Sequence, residues 1–127
     1  MKIGLDIDGV VVSEYSRKFS ILVSALMKSP DIEIFIISSR ENSNKSKKET
    51  EQELKELGIL YDHLILTDNK QIKQKAIKDM DMFADNEIEN FIGINPDTCC
   101  LLVRESMNYC WETDRFLGSK RTVEMID

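Results

Sequence analysis

The stretch KIGLDIDGV at residues 2–10 decides the fold and the place where chemistry is expected. Its first four residues have the length of a short buried strand, and a glycine follows the second of two aspartates. Side chains alternate in direction along an extended chain, so Asp6 and Asp8 point toward the same site. The pattern predicts a strand that ends in a pair of carboxylates.

Four more short apolar runs follow, and segments with helical periodicity separate them. Near-continuously apolar strands that alternate with helices are typical of a parallel sheet covered by helices on both faces. We therefore expect one α/β domain over residues 1–127, a three-layer α/β/α Rossmann-like sandwich with a mainly parallel sheet. The predicted strands are residues 2–5, 32–37, 63–66, 82–84 and 99–103, and the predicted helices are residues 14–28, 45–57, 69–78 and 86–92.

The first predicted helix has apolar residues at steps of three and four, which predicts one face that packs on the sheet. A proline two residues after the helix ends it, because the residue before a proline avoids the helical conformation. The inward residues expected from this spacing are Phe19, Leu22, Val23, Leu26 and Met27.

Composition excludes several classes of protein. A net charge of −6 argues against nucleic acid as a partner, because nucleic-acid binding depends on neutralising phosphates with Lys and Arg. No apolar run approaches the roughly 20 residues that span a bilayer, so we expect no membrane association and a cytoplasmic location. Three cysteines fit reduced thiols, and a single histidine rules out a multi-histidine metal site.

Polar side chains also follow the second and fourth predicted strands. Ser38, Ser39 and Arg40 come directly after the second strand and supply hydroxyls and a guanidinium that suit phosphate oxygens. Asp85 follows the fourth strand and adds a third acid that a hard cation could share. Ligands of parallel α/β sheets bind beyond the carboxyl ends of the strands, which is where these residues lie.

The order of polar residues at successive strand ends resembles the four motifs of the haloacid dehalogenase-like superfamily. That order is a pair of carboxylates, a hydroxyl, a lysine and a further acid. The first motif of that family, Asp-x-Asp-x-Thr or Val, is matched by Asp6, Asp8 and Val10. The second motif, a Thr or Ser after an apolar strand, resembles Ser38, and the Ser-x-Arg form of small phosphatase and nucleotidase-like members resembles residues 38–40. The resemblance covers about residues 1–104.

The third motif of the family is a lysine, and two lysines lie in the first turns of the predicted helix 69–78. We choose Lys73, because Ala76, Ile77 and Met80 follow it at inward helical positions. The alternative is Lys70, which lies nearer the start of the helix.

The fourth motif normally carries two acids, and here it reads Asp85-Asn86-Glu87, with Glu89 further on. Asn86 in place of the second acid is a departure from the family pattern. Because of this departure, the sequence does not decide which groups complete the outer coordination of the metal.

The resemblance implies a magnesium-dependent phosphatase that hydrolyses a phosphate monoester through an aspartyl-phosphate intermediate. Asp6 would be the nucleophile, and Asp8 would be the general acid that protonates the leaving oxygen and then activates water. The implied ligands of Mg²⁺ are the Asp6 carboxylate, the Asp8 main-chain carbonyl and Asp85, and the implied substrate-binding residues are Ser38, Ser39, Arg40 and Lys73.

The chain has no room for a cap domain after the first motif, because one helix and one strand fill the residues between Val10 and Ser38. An open site admits large phosphorylated substrates, unless neighbours in a homo-oligomer or the C-terminal segment 105–127 with Trp111 close it over small ones. A phosphorylated small molecule, with a nucleotidase-like or sugar-phosphate phosphatase activity, is the expected partner.

Two alternatives remain open at this point. The first is a catalytically weak member of the family that acts as a binding or regulatory module, which Asn86 favours. The second is a receiver-type signalling domain, whose phosphorylated aspartate ends the third strand, where this chain has Asp68. The paired acids of the first strand and Asp85 do not suit a receiver.

Overall fold

A computed structural model describes residues 1–93 and 97–106, and it gives the backbone of two further short strands. The predicted cover over the site falls mostly on residues beyond these ranges, and Trp111 lies outside the described residues. No helix in the described part of the chain is long and apolar enough to cross a membrane. The strands are β1 Lys2–Leu5, β2 Glu33–Ser38, β3 His63–Leu66, β4 Met82–Asp85, β5 Cys99–Leu102, β6 Tyr109–Cys110 and β7 Arg115–Phe116, and the helices are α1 Ser16–Leu26, α2 Asn44–Glu56, α3 Lys70–Ile77 and a 3₁₀ helix Ile88–Phe91.

Five of the described strands form one parallel sheet in the order β3-β2-β1-β4-β5. The predicted α/β class and parallel sheet are therefore confirmed. The chain adds strands on one side of β1 as far as β3 and then crosses back to add β4 and β5 on the other side. This reversal creates a crevice between the carboxyl ends of β1 and β4, where doubly wound sheets bind their ligands.

The residues of β2 pack alternately into two separate apolar clusters. Ile34 and Ile36 belong to a cluster that includes Leu54 of α2. Ile37 belongs to a second cluster, which includes Ile77 of α3. Because neighbouring residues of a strand face opposite ways, β2 is buried on both faces, as its near-continuous apolar sequence predicts.

Gly4 leaves room on one face of the sheet for side chains from β4, the neighbouring strand, and from the residues just before it. A Cβ atom at this position would lie 2.7 Å from Cδ1 of Phe83 and 3.0 Å from Cγ of Met80. Phe83 is fully buried, so its ring has no room to move aside. The glycine therefore allows these two core side chains to pack beside the strands that flank the crevice.

Two expectations from helical periodicity need correction. Leu22 is 50% exposed, while Val23 in the same helix is fully buried. Leu22 lies at the margin of the apolar stripe, about 60° around the helix from Phe19 and on the side away from Val23, so it misses the core. The predicted helix 86–92 is a 3₁₀ helix over Ile88–Phe91, and Gly93 follows with φ of 74°.

Truncation of a buried leucine should destabilise the protein far more than truncation of an exposed one. We expect Leu54→Ala to lower the free energy of unfolding by about 3 kcal/mol, because it leaves a cavity under α2. Leu22→Ala is the control and should change it by less than about 0.5 kcal/mol. Urea denaturation measures both, and equal losses would contradict this assignment of the core.

Candidate active site

A cavity of about 410 Å³ opens at the carboxyl edge of the sheet, in the crevice beyond β1 and β4. Its walls come from five parts of the chain that lie far apart in the sequence. The topology brings them together because the carboxyl ends of parallel strands meet at one edge of the sheet. The lining residues are Asp6, Asp8, Gly9, Val12, Ser38, Ser39, Lys73, Asn86, Glu87, Asn90 and Glu105.

A buried cluster of three charges forms the floor of this cavity. Nζ of Lys73 lies 2.8 Å from Oδ1 of Asp6 and 3.1 Å from Oδ2 of Asp85. The side chain of Asp85 is fully buried, that of Lys73 is 3% exposed and that of Asp6 is 10% exposed. Buried charges require partners of opposite sign, and the single ammonium serves both carboxylates.

The start of α3 determines which lysine reaches the floor. Asn69 caps the helix, since its side-chain oxygen accepts a hydrogen bond from the main-chain N–H of Ile72 at 2.8 Å. Lys70 and Lys73 both follow this cap within one turn, but only Lys73 is buried and lines the cavity. Lys70 is 60% exposed and pairs with Glu87 at 3.0 Å instead. The geometry thus places Lys73, not Lys70, beside Asp6.

Burial and neighbouring charge act in opposite directions on the titration of this cluster. Burial raises the pKa of Asp6 from 3.8 to about 7, although the ammonium of Lys73 lowers it. Burial lowers the pKa of Lys73, but Asp6 and Asp85 outweigh that effect and raise it above its ordinary value. Lys73 consequently remains protonated, and the charge of Asp6 can change near neutral pH.

The side chain of Asn86 lies on the other side of the same carboxylates. With its amide nitrogen turned toward them, it donates to Oδ1 of Asp85 at 3.1 Å, Oδ2 of Asp6 at 3.2 Å and the main-chain oxygen of Asp8 at 3.1 Å. The opposite orientation would direct the amide oxygen at three acceptors, so the nitrogen is the atom that faces them. Each carboxylate thus has Lys73 at one oxygen and Asn86 at the other.

Gly9 is required for this arrangement on two counts. Its φ is 83°, a left-handed conformation that side chains other than glycine rarely adopt. A Cβ atom at Gly9 would also lie 2.6 Å from Cγ of Asn86. The glycine of the first motif therefore provides the turn after Asp8 and the space that Asn86 occupies.

Asp8 and Arg40 form a two-point ion pair at the rim of the cavity. Nε of Arg40 donates to Oδ2 of Asp8 at 3.0 Å, and Nη2 donates to Oδ1 at 2.7 Å. Glu53 of α2 also lies 2.9 Å from Nη2. The bond to Asp8 raises the pKa of Arg40, so the guanidinium is permanently charged. The Asp8 carboxylate thus faces Arg40, and only its main-chain oxygen faces the floor.

Ser38 and Ser39 line the cavity, whereas Arg40 does not. The hydroxyl oxygen of Ser38 accepts a hydrogen bond from the main-chain N–H of Arg40 at 3.1 Å. That bond uses the hydroxyl as an acceptor, which leaves its own proton for a ligand in the cavity. Thr67 ties this loop down, because its N–H donates to the carbonyl of Ser38 at 2.9 Å.

Two polar residues of the lining were not predicted from the sequence. Asn90 donates to Oδ2 of Asp85 at 2.7 Å, whereas Glu89, the acid considered for this region, is exposed. Glu105 is 4% exposed and accepts a hydrogen bond from the main-chain N–H of Glu14 at 3.0 Å. Glu105 comes soon after β5, so the rule that locates polar residues at strand ends applies to it as well.

The residues on the floor fit a hard divalent cation. Oxygens of Asp6, Asp85 and the Asp8 main chain face one common point, and such oxygens are the ligands that Mg²⁺ prefers. Among the described residues no group of three or more His, Cys, Asp or Glu side chains could hold a metal. The set therefore consists of two carboxylates and one carbonyl, which suits an ion that keeps several of its waters.

The charge of the cavity also favours a cation. The described lining includes four carboxylates, from Asp6, Asp8, Glu87 and Glu105, and one ammonium, from Lys73. A phosphate group that entered this cavity alone would meet net repulsion, since like charges at short range repel strongly where water is scarce. An added positive charge would remove that repulsion.

The chain has no match among protein-family models, curated proteins or solved structures. Its function is therefore inferred from the residues of the cavity and their geometry.

Removal of the buried ammonium should cost much more stability than removal of the exposed one. We expect Lys73→Met to lower the free energy of unfolding by about 3 to 5 kcal/mol, because it leaves two buried carboxylates without their shared partner. The matched control Lys70→Met breaks only a surface pair, which contributes about 0 to 1 kcal/mol. Chemical denaturation in the presence of chelator measures both. Similar losses for the two variants would show that Lys73 is not buried in this cluster.

The raised pKa of Asp6 predicts a definite pH dependence of stability. The folded protein holds the Asp6 proton more tightly than the unfolded chain, so this group lowers the free energy of unfolding as pH rises from its ordinary 3.8 to about 7. Asp6→Asn removes the titration. In chelator, the stability of the wild type relative to Asp6→Asn should therefore fall as the pH rises from 3.8 to about 7. A difference that stays constant or grows over that span would contradict the assigned direction.

Proposed function

We propose that this chain is a magnesium-dependent phosphatase that hydrolyses a phosphate monoester through an aspartyl-phosphate on Asp6. The observation that carries the proposal is the setting of Asp6 on the cavity floor. One of its oxygens is bound by Lys73, and the other faces the point shared with Asp85 and the Asp8 carbonyl. A nucleophilic carboxylate needs a cationic surrounding to accept a phosphate dianion, and this setting can provide one.

The proposal includes a haloacid dehalogenase-like, three-layer sandwich without a cap. The two apolar clusters support three layers, because β2 buries alternate residues against helices of different clusters. Between the first and second motifs the structure has α1 and β2 only, which supports the absence of a cap there.

The proposed reaction has two steps, each a displacement at phosphorus. An oxygen of Asp6 attacks phosphorus and forms an acyl phosphate, while the bond from phosphorus to the ester oxygen breaks and Asp8 gives that oxygen a proton. Water then attacks the same phosphorus, Asp8 takes its proton, and the bond to Asp6 breaks to release inorganic phosphate. Lys73 and Ser38 hold phosphoryl oxygens during both displacements.

In this proposal Asp6, Asp85 and the Asp8 carbonyl would hold Mg²⁺. The ion would supply positive charge that offsets the repulsion between the incoming phosphate and the carboxylates of the cavity. Lys73 alone is insufficient for that purpose, since its single positive charge is already shared between the two carboxylates of the floor.

The ion pair at the rim has a role in the proposal as well. Asp8 must give a proton to the leaving oxygen, and in this structure both of its carboxylate oxygens accept hydrogen bonds from Arg40 instead. The pair must therefore open when substrate binds. Opening would free the Arg40 guanidinium for a phosphate oxygen, which is the role expected for it from the sequence.

We propose a phosphorylated small molecule as the substrate, of the nucleotide or sugar-phosphate class. Glu105 supports this choice, because a buried carboxylate on the cavity wall can accept hydrogen bonds from hydroxyls of the leaving group. A cytoplasmic setting agrees with the free thiols of Cys99 and Cys100. A homo-oligomer that covers the open site is compatible with the proposal.

One observation favours the alternative of a catalytically weak binding or regulatory module. The Asn86 amide lies at the point that a cation would occupy, so the protein could keep this site closed without turnover. The receiver-type alternative gains no support, since Asp68 does not line the cavity and its carboxylate accepts a hydrogen bond from the Asn42 N–H at 2.6 Å.

Hydrolysis of p-nitrophenyl phosphate tests the proposal. We expect the wild type to turn over with Mg²⁺ and to stop with chelator. Asp6→Asn should lose at least about a thousandfold in kcat, because an amide cannot attack phosphorus, and Asp8→Asn should lose about a hundredfold or more.

The matched control is Asp79→Asn, which makes the same chemical change at an exposed position outside the cavity. It should retain wild-type kcat and KM. Full activity in Asp6→Asn would exclude the aspartyl-phosphate mechanism, and a silent wild type that still binds Mg²⁺ would favour the binding module.

A further inference from the structure

We propose that the side chain of Asn86 is a built-in substitute for the cation. In the cation-free protein its amide would hold together the three oxygens that otherwise bind Mg²⁺, and the ion would have to displace it. The inference rests on the cation site of the proposed function and concerns how that site is kept formed when it is empty.

The amide and a cation compete for one position. A single terminal atom of Asn86 lies 3.1 to 3.2 Å from three oxygens, which belong to Asp85, Asp6 and the Asp8 main chain. Mg²⁺ binds oxygens at about 2.0 to 2.1 Å, so an ion held by the same three oxygens would overlap the amide. Asn86 must therefore leave its place when the cation arrives.

Uncharged donors hold these oxygens when no cation is bound. The amide nitrogen of Asn86 has two protons for three acceptors, and Oδ1 of Asp85 also accepts a hydrogen bond from the main-chain N–H of Glu87 at 3.0 Å. Two of the acceptors are carboxylate oxygens in a buried setting, where a positive charge is a stronger partner than a neutral donor. A divalent cation satisfies all three at once.

The main chain of Asn86 is anchored, so the exchange requires only a rotation of the side chain. Asn86 directly follows β4, and Nη1 of Arg104 donates to its carbonyl oxygen. The side chain of Asn86 occupies the space that Gly9 provides and lines the open cavity. In the proposal it leaves the floor by rotating into this cavity while the strand stays in place.

Asparagine suits this role better than the acid that the family pattern has at this position. An aspartate at position 86 would add a third carboxylate to the floor and would repel Asp6 and Asp85 in the absence of a cation. The amide instead donates to both and carries no charge. The consequence is a site that is stable without Mg²⁺ and binds it more weakly than the three oxygens alone would.

Titration calorimetry with Mg²⁺, together with thermal unfolding in chelator, tests the inference. Asn86→Ala removes the competing amide, so we expect it to bind Mg²⁺ about tenfold tighter than the wild type. Its Tm in chelator should be lower than that of the wild type, because the two carboxylates lose a shared donor. Asn86→Ser keeps a small hydrogen-bond donor, so its Mg²⁺ affinity and its Tm should lie between those of the wild type and Asn86→Ala. This variant replaces Asn86→Ala in the test if Asn86→Ala does not fold.

Asn90→Ala is the matched control, because it also removes an amide donor from Asp85, at the oxygen that faces away from the shared point. It should lower Tm without tightening Mg²⁺ binding. Equal or weaker Mg²⁺ binding by Asn86→Ala and Asn86→Ser would overturn the inference, and so would the absence of Mg²⁺ binding in every variant. If the wild type hydrolyses no phosphate ester but the Asn86 variants bind Mg²⁺ more tightly than it does, the inference is upheld and the proposed phosphatase activity is wrong.

Discussion

The bonds from the Lys73 ammonium to Asp6 and Asp85 are the interaction on which the rest of the site depends. They connect the ends of β1 and β4, the two strands that flank the crevice, with the first turn of α3, which lies between them in sequence. Two carboxylates with little or no exposure cannot share a pocket unless positive charge or hydrogen-bond donors offset their repulsion. The lysine supplies the charge from one side, and Asn86 supplies a donor from the other.

This arrangement of partners explains how a stable protein can hold reactive carboxylates in a buried site. Each carboxylate of the floor has one oxygen committed to Lys73 and one directed toward the point that a cation would fill. Asp8, two residues after Asp6, contributes its carbonyl to the floor while its carboxylate stays at the rim with Arg40. Asp6 and Asp8 thus take different roles although they are close in sequence, because the strand ends at Leu5 and the chain is already turning at Ile7.

Much of the fold and part of the site follow from the sequence, because both depend on local rules. The alternation of apolar runs and helical segments was sufficient to predict a parallel sheet, and polar residues at strand ends predicted the positions of Asp6, Ser38 and Asp85 at one edge. The contacts between side chains did not follow, since they depend on how far a side chain reaches between elements remote in sequence. Asn90, which binds Asp85 from a 3₁₀ helix that was expected to be α-helical, is one example.

The most direct test of the account is to locate the covalent intermediate on the protein. The protein would be quenched during turnover of p-nitrophenyl phosphate with Mg²⁺, treated with borohydride to convert an acyl phosphate to the alcohol, and mapped by peptide mass spectrometry. The account predicts reduction of Asp6 to homoserine, dependent on both substrate and Mg²⁺. Reduction at another residue, or turnover during which Asp6 remains unmodified, would contradict it.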